Sequence, residues 1–287
     1  MNPHRGNLFR ITDAIDYSDM SHSLSSKKSP VFEQALTLLK QSGRTEQRRY
    51  FVEGVDLVEQ ALRQSKSEVH TLFVTQQGHE QLADAIEGKT LVTYIVPPAM
   101  ITDLTGNSYA TPCQAVAIVD QLRTSVKGLA DSSGIILCGE AIQDPRNVGV
   151  MIRIADALGC EALLLDSASV DPWSRQSVRS TTGSILRTPV AITANLADTL
   201  GKLRERGMAI CATTGSTDLS LHVADLSQRP LAIVMGNEQT GISQAVRDVA
   251  SMLVRIPMSL STEADSLNVT VAAGITVAEA RRQADAQ

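Results

Sequence analysis

The chain has 287 residues, 43% of them apolar and 20% charged, and a formal net charge of −5. It offers no run of about 18 apolar residues to span a membrane, and its length exceeds what one small core needs, so two domains in a cytoplasmic protein are expected. Nucleic-acid binders usually carry a basic footprint, so an acidic chain must confine any RNA surface to local patches.

Residues 1–29 are polar and lack the apolar core of a secretory signal; they read as a mobile arm, with Arg5, Arg10, Lys27 and Lys28 as its cations. From residue 30 to 120, helix-like and strand-like stretches alternate. "VFEQALTLLKQS" places Val31, Ala35, Leu38 and Leu39 at helical spacing. Strands are predicted at "RYFVEG", "VHTLFVT", "TLVTYIV" and "QAVAIV", separated by helices at "VDLVEQALRQ", "HEQLADAIEG" and the Pro-initiated "PPAMITDLTG". This alternation predicts a smaller α/β domain with a mainly parallel sheet.

The polar stretch "DQLRTSVKGLADSSG" then separates two alternations, with residues 121–133 as a linker. A second α/β domain fills residues 134–287. Its strands are predicted at "IILCG", "EALLLD", "TPVAIT", "MAICAT", "LAIVMG" and "MLVRIP", with helices at "NVGVMIRIADALG", "PWSRQSVRS", "LADTLGKLRERG" and the C-terminal end. Cys113, Cys138, Cys160 and Cys211 form no CxxC pair and lie far apart, so free thiols are expected and neither a disulfide nor a metal site.

Ligands of open α/β sheets gather beyond the carboxyl ends of strands. There the chain places "AIQDPRNVG", "TTGS", "GNEQTG" and "PMSLSTEADSLN", rich in glycines, amides and small hydroxyls that let a ligand approach the backbone. Neither GxGxxG nor GxxxxGK[ST] is present, which favours a nucleoside-like cofactor without a phosphate cradle over NAD or ATP. In "DPRNVGVMIRIADALG", Asn147 stands where a helix N-cap is wanted, and Arg153 shares a face with Gly149 four residues before it. Arg153 then either projects toward the strand ends or pairs with Asp156 on the surface. At the head of the last helix, Ser266 and Asn268 are open to two readings, with Ser266 as a plain cap or both side chains aimed at a ligand.

In order along the chain, "NVGVMIRIADALG", "IVMGNEQTGIS" and "IPMSLSTEADSLNVTVAAGI" resemble the motifs of the SpoU/TrmH family of RNA ribose 2′-O-methyltransferases, within the trefoil-knotted SPOUT superfamily. The resemblance runs from about Ile135 to Ala280. "RRYFVEGVDLVEQAL" and "TPCQAVAIV" also resemble that family's N-terminal RNA substrate-binding domain. The resemblance implies a knotted C-terminal domain, S-adenosylmethionine as methyl donor, no metal, and a homodimer whose active site draws on both subunits. Carried across position by position, the cofactor contacts fall on Thr213, Gly236, Ile256, Met258 and Leu267, and the catalytic and RNA-positioning residues on Asn147, Arg153, Glu238, Ser266 and Asn268. An arginine is a poor proton acceptor at neutral pH, so Arg153 suits holding a phosphate and polarising the hydroxyl, with Glu238 orienting it. The family usually has serine where Thr270 stands and often glycine where Ala115 stands.

The implied substrate is ribosomal RNA, with tRNA as the alternative and a non-catalytic RNA-binding or ribosome-assembly role as a further reading. Basic residues for it concentrate in "GRTEQRRY", with Arg44, Arg48 and Arg49, and in "WSRQSVRSTTGSILR", with Arg175, Arg179 and Arg187. Trp173 either stacks a base there or packs in the core.

Overall fold

A computed structural model describes residues 21–64, 66–106, 112–259, 261 and 265–286. Two sheets organise the chain. The first comprises β1 (Ser21–Ser23), β2 (Arg49–Glu53), β3 (Val69–Val74), β4 (Val92–Ile95) and β5 (Ala115–Asp120), in the order β1-β4-β3-β5-β2. Around it lie α1 (Pro30–Thr37), α2 (Gln41–Gln47), α3 (Val55–Gln64), α4 (Gln76–Gln81), α5 (Ala83–Ile86) and α6 (Pro98–Thr105).

This sheet is mixed, which corrects the mainly parallel expectation: β4 runs parallel to β1 and β3, while β5 runs antiparallel to β3 and β2. Apolar alternation reports which face of a strand is buried and is blind to strand direction. β1 corrects the mobile arm in part. Its three residues are exposed and carry no apolar pattern, but backbone pairing of Ser21 with Thr93 and Ser23 with Ile95 holds them at the sheet edge. Nearby, Lys27 pairs with Asp103 at 2.5 Å. Arg5 and Arg10 lie outside the described residues.

The stretch expected to be a linker is folded. Ser125 caps the short α7 (Val126–Leu129) by accepting from the Gly128 N–H at 3.0 Å, and Leu129 is buried. Val190 donates to the Leu122 carbonyl at 3.0 Å and Thr124 donates to the Val190 carbonyl at 3.2 Å, tying this stretch to the second sheet. Its composition reads as a loop because Leu129 is its one buried apolar residue among the described ones, while its other anchors are polar: Gln121, 8% exposed, donates to the Arg44 carbonyl at 3.0 Å, and Ser132 bonds Glu161.

The second sheet contains β6 (Ile135–Gly139), β7 (Ala162–Asp166), β8 (Val190–Thr193), β9 (Ala209–Thr213), β10 (Leu231–Met235) and β11 (Met252–Val254), in the order β11-β9-β10-β6-β7-β8 with parallel neighbours throughout. Parallel sheets are covered on both faces, which is why β6, β7 and β10 read as unbroken apolar runs. On one face Leu137, Leu163 and Ile233 pack with Val148, Met151 and Ala155 of α8 (Pro145–Ala157) and with Ala273, Val277 and Ala280 of α12 (Val269–Asp285). On the other, Ile136, Leu164 and Val234 pack with Leu196, Leu200 and Leu203 of α10 (Leu196–Glu205) and Val246 of α11 (Gln244–Val249). The thiols of Cys160 and Cys211 are buried here, which pushes them up to about 12 and leaves them unreactive. Among the described residues no helix is long and apolar enough to cross a membrane.

Several basic residues expected on an RNA surface instead join the two halves. Arg44 is 7% exposed; its guanidinium grips Asp171 at 2.6 and 2.7 Å and donates to the Leu38 carbonyl at 2.8 Å. Arg175 pairs with the buried carboxylate of Glu53 and donates to the Thr105 carbonyl. Arg187 takes Asp156 at 2.6 Å and Gln64 at 2.9 Å. Trp173 is 3% exposed, with the Arg123 guanidinium 5.0 Å from its ring centre, so it packs in the core and presents no face to a base. Charge counted along a sequence cannot distinguish a solvated arginine from one that neutralises a distant carboxylate.

Candidate functional site

The carboxyl ends of β9, β10 and β11 and the approach to α12 enclose a cavity of about 560 Å³. Thr213, Gly236, Ile256, Met258 and Leu267 all line it, as do Glu238, Ser266 and Asn268. These residues come from four separate chain segments. The turn after β10 closes on itself through Asn237 N–H to Gly241 O at 3.1 Å and Gly241 N–H to Asn237 O at 2.9 Å. A β-carbon on Gly236 would lie 2.2 Å from the Gly241 carbonyl carbon, so only glycine lets the turn fold this tightly. Asn237 anchors the turn: its side-chain oxygen accepts from the Gln239 and Thr240 N–H groups, and its amide donates to Ala141 O at 2.7 Å.

Thr214, Asn237 and Arg247 belong to this cavity and were not picked out from the sequence. Arg247 donates to the Thr214 hydroxyl at 2.9 Å, which places one cation at the rim. The "TTGS" and "GNEQTG" runs signalled the first two, but nothing in the sequence pointed from α11 to this cavity. The donor set combines apolar walls at Ile256, Met258 and Leu267, a close-packed glycine turn, acids at Glu238 and Asp265, and the cation of Arg247. Such a set fits a nucleoside carrying an amino-acid-like zwitterion better than a polyphosphate.

Beside the cavity, polar groups form a chain. Asn268 Nδ2 donates to Asn147 Oδ1 at 3.3 Å, and Asn147 Nδ2 donates to Glu238 Oε1 at 2.8 Å. Glu238 also accepts from the Gln143 and Asp144 N–H groups at 3.2 and 3.4 Å. Burial opposes ionisation of Glu238, yet the bonds from Asn147 and these N–H groups outweigh it and hold the carboxyl below the usual glutamate range.

Two expectations about helix caps are corrected here. The N-cap of α8 is Asp144, which accepts from the Arg146 N–H at 2.8 Å with Pro145 following; Asn147 is inside the first turn, its side chain available to Glu238. At α12 the cap is Asn268, accepting from the Thr270 N–H at 2.8 Å and the Thr270 hydroxyl at 2.6 Å, while Ser266 stays exposed in the preceding loop. Within a single chain Glu238 bonds Asn147 and the Gln143 and Asp144 N–H groups, and among the described residues no bond joins it to Arg153 of the same chain. Asn147, the α8 side chain that Glu238 holds, precedes Arg153 by six residues, a rise of about 9 Å along the helix.

Arg153 is exposed and outside the cavity lining. Its alternative partner, Asp156, is engaged by Arg187, and among the described residues Arg153 makes no hydrogen bond or ion pair.

Of the expected RNA contacts, Arg175 and Arg179 meet in a second cleft with Arg146. Arg48 and Arg49 are not part of it: Arg48 is exposed with a left-handed backbone (φ 55°), and Arg49 bonds Asp120 at 3.3 Å and His70 at 3.0 Å. Glu68, His70 and Asp120 have metal-ligand spacing, but the Arg49 guanidinium already supplies a cation to that group.

Residues 134–278 match the SpoU rRNA Methylase family. An uncharacterised tRNA/rRNA methyltransferase of Synechocystis is 32% identical over 263 residues, covering 91% of this chain and 94% of its own. A 23S rRNA (guanosine-2′-O-)-methyltransferase RlmB of Nitrosomonas europaea is 28% identical over 81% of this chain and 91% of its own. Among solved structures, an AdoMet-bound rRNA methyltransferase from Sinorhizobium meliloti superposes with a TM-score of 0.79 at 29% identity, covering 92% of this chain and 98% of that one.

Proposed function

The chain belongs to the SpoU rRNA methylase family, and from that premise we propose that it methylates a ribose 2′-hydroxyl of ribosomal RNA with S-adenosylmethionine as donor. The observation that carries this reading is the glycine-closed cavity at the strand ends, without a phosphate cradle, joined to the Asn268–Asn147–Glu238 chain. A protein that only bound RNA would have no use for that combination. The 23S rRNA named for the Nitrosomonas relative is the first substrate to try, and tRNA the second.

When bound, S-adenosylmethionine would supply an electrophilic methyl: the ribose oxygen would bond to its carbon as the carbon–sulfur bond breaks, with the hydroxyl proton passing to solvent and S-adenosylhomocysteine leaving. In this reading Gly236, Ile256, Met258 and Leu267 hold the adenosine, largely through backbone groups, and Thr213 completes the wall. Ser266 and Asn268 orient the ribose, with Asn268 fixed by its cap to α12 and by Asn147. Positioning of this kind provides much of the rate in a direct displacement.

Arg153 holds the adjoining phosphate and polarises the hydroxyl. Because it lies outside its own cavity, a second copy of the chain supplies it, which makes the working unit a homodimer. α12 supports this: Val271 and Ile275 leave 48% and 39% of their surface exposed on one helix. The knotted threading of the chain and a cytoplasmic location belong to the same proposal.

Transfer of labelled methyl from S-adenosylmethionine to unmodified ribosomal RNA and, separately, to tRNA tests it. Label recovered as a ribose 2′-O-methyl in ribosomal RNA is expected; label on a base, or RNA binding with no affinity for S-adenosylmethionine, would refute it.

The depressed Glu238 carboxyl gives a pH dependence. A group lowered by folding contributes fully above its unfolded value of about 4.3 and is lost as pH falls through the lower folded value. The stability that Glu238 adds, read as the difference in thermal midpoint between wild type and Glu238→Gln, should therefore be constant from about pH 8 to about pH 5 and shrink only below. Glu238→Gln should be the less stable protein throughout that range. A difference that fades between about pH 6 and about pH 7 would show that another group controls this part of the fold.

A further inference from the structure

Away from the cavity, a cleft of about 520 Å³ opens between the start of α8 and α9 (Arg175–Ser180), lined by Arg146, Arg175, Gln176, Arg179 and Ser180. We propose that this cleft seats a backbone phosphate of the RNA beside the methylated nucleotide, and that Asp144 holds Arg146 as a built-in counter-ion which the phosphate replaces. The inference rests on the RNA methyltransferase reading and assigns a part of the RNA to a surface.

Close helix packing creates the cleft. A β-carbon on Gly149 would lie 2.4 Å from the Ser177 carbonyl oxygen and 2.5 Å from the Ser180 β-carbon, so glycine allows α9 to lie directly on α8. Arg146, Gly149 and Arg153 follow one another at i, i+3 and i+7 and share a helix face. The cleft thus begins on the face that carries Arg153, one residue from Asn147 and its bond to Glu238. With the ribose oriented by Asn268, which bonds Asn147, the RNA backbone next to it would run toward Arg146, the chain neighbour of Asn147.

The charges in the cleft are not equivalent. Arg175 is fixed against the buried Glu53 and forms a wall. Among the described residues Arg146 is held only by Asp144, whose carboxylate takes its Nη2 at 2.7 Å and its Nε at 3.1 Å, with 70% of the Arg146 side chain still exposed. Exposed pairs of this kind contribute little to stability and are readily exchanged. A phosphodiester offers the same charge-assisted geometry and releases counterions on binding, so it can displace the carboxylate. Asp144 also caps α8, a role that asparagine fills equally well, so its charge can be removed without unravelling the helix.

The test measures affinity for an unmodified ribosomal RNA fragment across a salt series, together with methyl transfer kinetics and S-adenosylmethionine affinity. Arg146→Ala should raise the RNA KM about tenfold and reduce the slope of log affinity against log salt by about one, with S-adenosylmethionine affinity unchanged. Asp144→Asn should tighten RNA binding by roughly threefold. Lys202→Ala, on α10, should change neither. Wild-type KM and salt slope in Arg146→Ala, or weaker RNA binding in Asp144→Asn, would overturn the phosphate seat. If the salt slope responds as expected while the wild type methylates no RNA, the seat stands and the catalytic reading falls.

Discussion

Arg153→Lys is expected to slow methyl transfer by at least about a hundredfold while S-adenosylmethionine affinity stays within about twofold of wild type. Lysine retains the charge but replaces a planar fork, able to grip a phosphate through two parallel bonds, with a single rotating ammonium. A misplacement of about 1 Å in such a contact can cost on the order of a hundredfold in rate. The substitution should not disturb folding, because Arg153 is exposed on α8 and lysine has nearly the same helix propensity. Cofactor affinity should survive because Arg153 is not among the residues lining the cavity. Turnover within threefold of wild type would remove Arg153 from the mechanism.

The same variant tests whether the site is shared between subunits. Mixing Arg153→Lys chains with Asn268→Ala chains, each nearly inactive alone, leaves one intact site in every mixed dimer if the arginine acts across the interface. Activity should then recover to roughly a quarter of wild type at full exchange. No recovery after verified subunit exchange would place both residues in one chain's site.

Arg44→Ala is expected to lower stability by about 3–5 kcal/mol, because it leaves the Asp171 carboxylate buried without its counter-ion and the Leu38 carbonyl without a donor. At about 2–4 °C per kcal/mol for a chain of this class, the thermal midpoint should fall by roughly 6–20 °C. The double variant Arg44→Met/Asp171→Leu should recover most of the loss, since replacing a buried pair with apolar side chains is often neutral. RNA affinity per folded molecule should change little. A midpoint shift below 2 °C in the single variant would mean that the pair is hydrated and contributes nothing.

The cavity was largely legible in the sequence because its residues follow strand ends: each apolar run of the second sheet stops at a glycine, hydroxyl or amide cluster, and ligands of parallel sheets collect there. That rule singled out the segments holding Thr213, Gly236, Ile256, Met258 and Leu267, although only the motif resemblance assigned them individually. Arg247 escaped because α11 approaches the cavity from the far end of a helix whose sequence says nothing about its neighbour. Arg146 escaped for a related reason. It stands beside Asn147 in the motif, but its surroundings depend on Gly149 drawing α9 close.

What the sequence determined by itself was the two-sheet α/β alternation, the apolar strands buried on both faces, and the polar heads of α8 and α12. These follow from local periodicity, turn chemistry and capping, which act over a few residues. The tertiary structure alone decided the strand directions of the first sheet, the attachment of residues 21–23 and 121–133, the capping residues themselves, and the fate of each arginine. Arg44 finds Asp171 across 127 residues, and Arg175 finds Glu53 across 122. An ion pair is selected by distance and burial in the folded chain, and neither quantity is written in the spacing of charges along it.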